Sequence, residues 1–78
     1  MKVNFIERIS TDMPDIYQAR ELFNIAFTAV QHIGIGHSIV FEDQRYEIVD
    51  IVHDFERGTQ FNNFRIRQIC TNVFVELR

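Results

Sequence analysis

The sequence is poor in the residues that build disulfide-rich scaffolds. Its 78 residues include one cysteine, one proline, three glycines and no tryptophan. Because Cys70 has no second cysteine to pair with, a disulfide-stapled secreted domain is excluded, and we expect a reducing, cytoplasmic setting. The first residues contain no apolar signal-peptide core, and no apolar run reaches the length of a membrane span.

Basic residues are also scarce, and the charge is unevenly distributed. Eight lysines and arginines face eleven acids, for a net charge of −3, which argues against a duplex DNA binder that works by phosphate neutralisation. Residues 42–56 hold six of the acids and one arginine, whereas residues 57–78 hold four arginines and one acid. The sequence thus predicts an acidic segment followed by a basic one.

What the chain does have is core material for one small domain covering residues 1–78. Its apolar share of 46% and charged share of 24% are ordinary for a folded globular protein, and eight phenylalanines supply bulk. The segment STDMPD has capping residues and a proline suited to a helix start. From Pro14 to about Ile33 the apolar residues fall on one helical arc, and Gly34 follows as a helix C-cap. This pattern predicts a helix.

Strands are predicted on both sides of that helix. Residues 3–9, 37–41, 45–55 and 61–78 are rich in apolar residues with a period of two, and Glu42-Asp43-Gln44 suits a hairpin turn. Apolar residues on both parities predict a bulge near Asp50, and a parity change predicts a bulge or a break near Gln68, so residues 61–78 form one long strand or two. The expected fold is a two-layer α+β domain, with one helix packed on an antiparallel three- to four-stranded sheet in the order β-α-β-β-β.

One helix covers only one face of such a sheet. The other face would then expose some of the apolar residues Tyr46, Ile48, Val52, Phe64 and Phe74. An exposed apolar sheet face is a binding surface or a dimer interface. We therefore expect a homodimer through this face, or a different protein bound to it.

No constellation for chemistry emerges. His32, His37 and His53 lack metal-ligand spacing, and no CxxC or HExxH motif is present. Cys70 lies in an apolar strand without a nearby base, which predicts an inert thiol. We expect no enzyme, no cofactor and no metal site.

The leading hypothesis is a non-enzymatic protein-binding module whose acidic surface engages a basic partner. Such compact chains occur among phage and mobile-element accessory proteins that inhibit or regulate a host protein, and we expect a role of this class. The predicted partner-binding residues are the acids of the hairpin region together with two polar residues of the helix: Glu42, Asp43, Glu47, Asp50, Asp54, Tyr17 and Asn24.

The alternative hypothesis is a single-stranded nucleic-acid binder using residues 61–67. Phe61 and Phe64 could stack on bases, while Arg65 and Arg67 could pair with phosphates. Against it, Phe64 and the arginines have opposite parity in a strand, so the ring and the guanidiniums would project to opposite faces. The acidic strand 45–55 also offers the arginines cross-strand partners.

Overall fold

The computed structural model describes residues 2–26, 32–57 and 66–78, which form one five-stranded sheet. The strands are β1 (Lys2–Ser10), β2 (Tyr17–Ala26), β3 (Ser38–Phe41), β4 (Gln44–Arg57) and β5 (Ile66–Leu77). Their order across the sheet is β2-β1-β5-β4-β3. β1 and β5 run parallel, and the other neighbours run antiparallel, so the sheet is mixed.

The predicted α+β fold is wrong, because the described ranges contain strands and no helix. Residues 17–26 of the predicted helix form β2 and pair antiparallel with β1. Residues 27–31 of that helix lie outside the described part of the chain. Gly34 is not a helix C-cap but starts the turn before β3, where its carbonyl accepts the His37 N–H at 3.1 Å.

A bulge in β2 explains why its sequence resembles a helix. Phe5 of β1 faces Phe23, but the next residue, Ile6, faces Glu21, so Leu22 has no partner opposite it. This extra residue breaks the period of two that identifies a strand. Leu22, Phe23 and Ile25 all pack against the core. Their spacing resembles one side of a helix, although the backbone is extended.

The predictions for the later strands are largely confirmed. The segments at 3–9, 37–41 and 45–55 correspond to β1, β3 and β4, and β3–β4–β5 form the predicted antiparallel meander. Glu42 and Asp43 join β3 to β4 with positive φ angles of 49° and 63°. Two successive positive φ angles are the mark of a type I′ hairpin turn. The turn predicted at residues 42–44 is therefore present, with Gln44 already in β4.

Both predicted bulges are also present. The pairing of β4 with β5 shifts between Ile48 and Asp50, and again between Asp54 and Phe55, opposite Ile69. The described part of the segment 61–78 is a single strand from Ile66 onwards, and residues 58–65 lie outside the described ranges. The first bulge, at Val49, changes which side chains of β4 share a face, whereas the second inserts Ile69 into β5.

The sheet curls until its two edge strands meet across one face. Phe23 of β2 stacks on Phe5 of β1 with ring centroids 4.5 Å apart, and lies 4.6 Å from Phe41 of β3. We call this inner side the concave face and the opposite side the convex face. The buried apolar core on the concave face consists of Val3, Phe5, Tyr46, Ile48, Val73 and Val75.

This curl replaces the predicted helix layer, because the sheet covers one of its own faces. Tyr46 and Ile48, which were predicted as candidates for an uncovered face, are buried in the concave core. Val52 and Phe74 pair with convex-face neighbours and are only partly covered, and Phe64 lies outside the described residues. The convex face is therefore the side of the sheet available to a partner.

Candidate protein-binding surface

Four carboxylates line the convex face of β4: Glu47, Asp50, Asp54 and Glu56. We call this set the acidic stripe. Side chains alternate along a strand, and the bulge at Val49 inserts one residue, so Glu47 and Asp50 share a face. The stripe follows β4 from the β3–β4 hairpin to the end of the strand. Three of its members were predicted as partner-binding residues, and the fourth, Glu56, was not.

The two ends of the stripe are neutralised within the chain. The Glu47 carboxylate lies 3.0 Å from the Arg78 guanidinium, and this hydrogen bond and charge lower the pKa of Glu47. Glu56 forms an ion pair with Arg67 on the neighbouring strand. Arg67 therefore has an acidic cross-strand partner on β4, as predicted, but this partner is Glu56, one residue beyond the predicted strand 45–55.

The two middle carboxylates meet neutral donors instead. Asp50 accepts the backbone N–H of Ile51 at 2.9 Å. Asp54 accepts the Asn72 amide at 2.8 Å and the Cys70 thiol at 3.2 Å. Within the described ranges, no arginine or lysine forms a salt bridge with either carboxylate. Their charges are therefore stabilised by hydrogen bonds but remain available to an external cation.

Glu42 and Asp43 extend the negative potential to the tip of the hairpin. Both are exposed and occupy the type I′ turn that joins β3 to β4. Their backbone conformation is fixed by the turn, so their side chains project from a defined position. Glu42 also borders the cleft between β2 and the hairpin, so the acids of the turn lie beside the acidic stripe at the end of β4 and do not extend it along the convex face.

Asp54 also controls the chemistry of the single cysteine. The hydrogen bond from the Cys70 thiol to the Asp54 carboxylate raises the pKa of Cys70, with smaller contributions from burial and from the negative charge. Because the thiolate is the nucleophile, a raised pKa makes the thiol less reactive. The prediction of an inert thiol therefore has a specific physical cause, although Cys70 is only partly buried.

Replacing Asp54 with asparagine is expected to make Cys70 more reactive. The neutral amide removes both the anionic acceptor and the negative charge, so the pKa of Cys70 falls towards its ordinary value and iodoacetamide alkylates it several-fold faster at mildly alkaline pH. The measurement is the alkylation rate as a function of pH. Asp50→Asn is the matched control, since it makes the same charge change without touching Cys70, and equal rates in both variants would contradict the assignment.

Tyr17 and Asn24 do not join the acids. Both were predicted on a helix, but they lie on β2, at the edge of the sheet opposite to the β3–β4 hairpin. The Arg8 guanidinium lies 4.3 Å from the centroid of the Tyr17 ring, in a cation–π contact. Asn24 donates to Glu21 at 3.2 Å. The strands β1 and β5 therefore separate Tyr17 and Asn24 from the acids of β4.

The nucleic-acid hypothesis gains no support from the described residues. Phe61, Phe64 and Arg65 lie outside them, and Arg67 is paired with Glu56. Arg8 is the cation that the sequence did not single out: its Nε is buried and has no hydrogen-bond partner in the described part of the chain. The Arg8 guanidinium lies between the ring of Tyr17 and the ring of Phe74, whose centroid is 6.0 Å away. Aromatic rings of the chain itself therefore occupy both faces of this guanidinium.

The largest cleft bordered by described residues holds no catalytic set. This cleft, of about 460 Å³, opens between β2 and the β3–β4 hairpin and is bordered by Arg20, Glu21, Phe41 and Tyr46. Neither a nucleophile nor a histidine lines it. Within residues 2–26, 32–57 and 66–78, no group of three histidine, cysteine or acidic side chains is arranged to hold a metal ion. In the same ranges, no helix could span a membrane.

The part of the surface that sequence reasoning missed is the outer edge of β4. β3 pairs with β4 only from Gln44 to Glu47, and two backbone hydrogen bonds at Ile48 extend this contact. From Val49 to Arg57, no described residue pairs with that edge. The adjoining side chains of Phe55 and Ile66 are 59% and 66% exposed. The alternation of residues along β4 shows which side chains share a face. It does not show which strands are its neighbours, so the unpaired edge could not be predicted from the sequence.

Comparisons of the chain with protein-family models, with curated proteins and with solved structures give no match. The geometry of the convex face and of the β4 edge is therefore the evidence on function.

Proposed function

We propose that the protein is a non-enzymatic binding module that engages a basic surface of another protein through the acidic stripe. The observation that carries this proposal is that Asp50 and Asp54, which lie on the convex face on either side of Val52, lack a cationic partner among the described residues. Charges arranged in this way mainly raise the association rate and select the partner. Inhibition or regulation of a host protein by a phage or mobile-element accessory protein is the biological role we propose for it, in a cytoplasmic setting.

The surrounding structure supports a binding role over a merely solvated one. Asp54 is held by two donors, so its carboxylate has a fixed position, and little side-chain entropy is lost when a cation meets it. Glu42 and Asp43 add charge from a rigid turn. Homodimerisation through the convex face has less support, because its apolar residues Ile6 and Phe74 are half-buried, and its exposed Val52 lies between Asp50 and Asp54.

The experiment is affinity capture with three forms of the chain, followed by titration of any purified partner. Neutralising the pair with Asp50→Asn and Asp54→Asn is expected to weaken partner binding about tenfold, mostly through a slower association at low salt. The control is Asp12→Asn with Asp15→Asn, which makes the same charge change in the β1–β2 loop. Asp15 has a φ of 64°, a conformation that asparagine also tolerates.

Two results would contradict the proposal. One is a partner that binds the stripe variant and the control variant equally well. The other is the absence of any captured protein whose recovery differs between them. Circular dichroism and thermal unfolding of all three forms establish that the fold is intact, so a loss of binding is attributable to charge.

A further inference from the structure

Among the described residues, none pairs with the outer edge of β4 along most of the strand's length. From Val49 to Arg57 the strand is bonded on its inner side to β5, while its outer side forms no ladder with any described residue. At about 3.3 Å per residue this edge is roughly 25–30 Å long. An edge of this length presents a row of backbone donors and acceptors that can pair with another strand.

The two faces beside this edge differ in chemistry. The acidic stripe lies on the convex side, with Asp50 and Asp54 uncompensated, and Ile51, His53 and Phe55 lie on the concave side. In a strand added to this edge, every second side chain would lie beside the acidic stripe, and the others would lie beside Ile51, His53 and Phe55. The complementary strand therefore alternates basic residues, opposite the carboxylates, with apolar residues, opposite Ile51 and Phe55.

A second copy of the chain is a poor occupant of the same edge. Two copies related by a two-fold axis normal to the sheet would pair their β4 strands antiparallel, with convex residues opposite convex residues. The registers centred on residues 52 to 55 then set two acids against each other: Asp50 against Asp54, Asp50 against Glu56, Asp54 against its own copy, or Asp54 against Glu56. Like charges directly opposite each other destabilise strand pairing.

From these observations we infer that β4 accepts, by strand addition at its outer edge, an extended segment of a partner protein in which basic and apolar residues alternate. This inference deepens the proposed function and rests on it, because it assigns the basic partner a conformation and a pattern. The exposed Phe55, at the end of the edge, anchors the apolar side of the added strand. Backbone hydrogen bonds supply affinity, and the acidic stripe supplies the choice of partner.

The probe is a labelled synthetic octapeptide that alternates lysine with valine, titrated into the full chain and followed by fluorescence anisotropy. We expect saturable binding that is at least tenfold tighter than that of the matching glutamate–valine peptide. Asp50→Asn with Asp54→Asn is expected to weaken binding about tenfold, while Asp12→Asn with Asp15→Asn leaves it unchanged. If the glutamate peptide binds as well as the lysine peptide, the inference is wrong.

Two N-methylated peptides separate strand pairing from simple charge attraction, and they need no protein variant. One carries methyl groups on the lysine backbone nitrogens and the other on the valine nitrogens, so each blocks hydrogen bonding along one edge of the peptide. Because an added strand uses one edge, we expect the two to differ in affinity at least tenfold. If both bind as the parent does, strand addition is wrong, and the acidic surface of the proposed function stands without it.

Two further outcomes would overturn the inference. In the first, no alternating peptide binds at low salt, and the acids serve only to keep the edge from pairing. Affinity capture then tests the proposed function separately, because a folded partner with a basic surface could bind the acidic stripe without adding a strand to β4. In the second, light scattering finds a dimer that Phe55→Lys disrupts, which would make a second copy the occupant of the edge.

Discussion

Phe23→Ala is expected to destabilise the fold by about 2–4 kcal/mol, which lowers the melting temperature by roughly 10–20 °C for a domain of this size. Phe23 is the central ring of the Phe5–Phe23–Phe41 stack, which joins the two edges of the sheet across the concave face. Its removal leaves a cavity and opens the curl. Total stabilities of small domains are only several kcal/mol, so this change removes a large part of the margin.

Phe55→Ala provides the matched control for Phe23→Ala. It deletes the same side chain from a position that is 59% exposed, and we expect a change below about 1 kcal/mol. Chemical denaturation of both variants measures the difference. A double-mutant cycle between Phe23 and Phe41 is expected to give a coupling of about 0.5–1.5 kcal/mol. Equal destabilisation by the two alanine variants, or no coupling to Phe41, would show that β2 and β3 do not meet.

The contrast between β4 and β2 shows which strands of this fold can be predicted from the sequence. β4 is long and apolar on both parities, and it follows a two-residue turn, so local pattern is enough to identify it. β2 is an edge strand whose apolar residues are interrupted by the bulge at Leu22. Its conformation is decided by the partner strand β1, and a tertiary contact of this kind overrides local propensity.

The parallel pairing of β1 with β5 is the other feature that sequence reasoning missed. It joins Lys2 to Cys70 and continues to Glu7 and Val75, so it connects the two ends of the chain. Local periodicity carries no information about such a distant partner. Without this pairing, β1 had no assigned neighbour in the sheet, and the closure of the sheet on itself could not be predicted.

The candidate surface was predictable to the extent that it depends on β4 alone. Asp50 and Asp54 share a face through simple alternation, and the ion pair of Glu56 with Arg67 follows from cross-strand pairing. Tyr17 and Asn24 were assigned to the same surface only because a helix was expected. The edge of β4 is left unpaired by the described residues because β3 has only four residues and β4 has fourteen. The register of β3 on β4, which decides where this unpaired edge begins, is a tertiary feature.

Arg20→Ala is expected to destabilise the protein by about 2–3 kcal/mol, more than the loss of an ordinary surface ion pair. Its partner, Glu7, lies on the concave face opposite Val75 and is only 6% exposed. The Arg20 guanidinium reaches the Glu7 carboxylate at 2.6 Å from the neighbouring edge strand. Removal of Arg20 therefore leaves a carboxylate at the margin of the apolar core without its counter-charge.

The same reasoning predicts that a second substitution rescues the first. Glu7→Leu in the Arg20→Ala background replaces the orphaned carboxylate with an apolar side chain of similar size, and should recover most of the lost stability. Arg67→Ala is the control, because its pair with Glu56 is exposed and its loss should change the unfolding free energy by less than about 1 kcal/mol. Unfolding in urea measures all of these variants. If Arg20→Ala and Arg67→Ala are equally mild, or if Glu7→Leu worsens the loss, the Glu7 carboxylate is not buried at the closure of β2 onto β1.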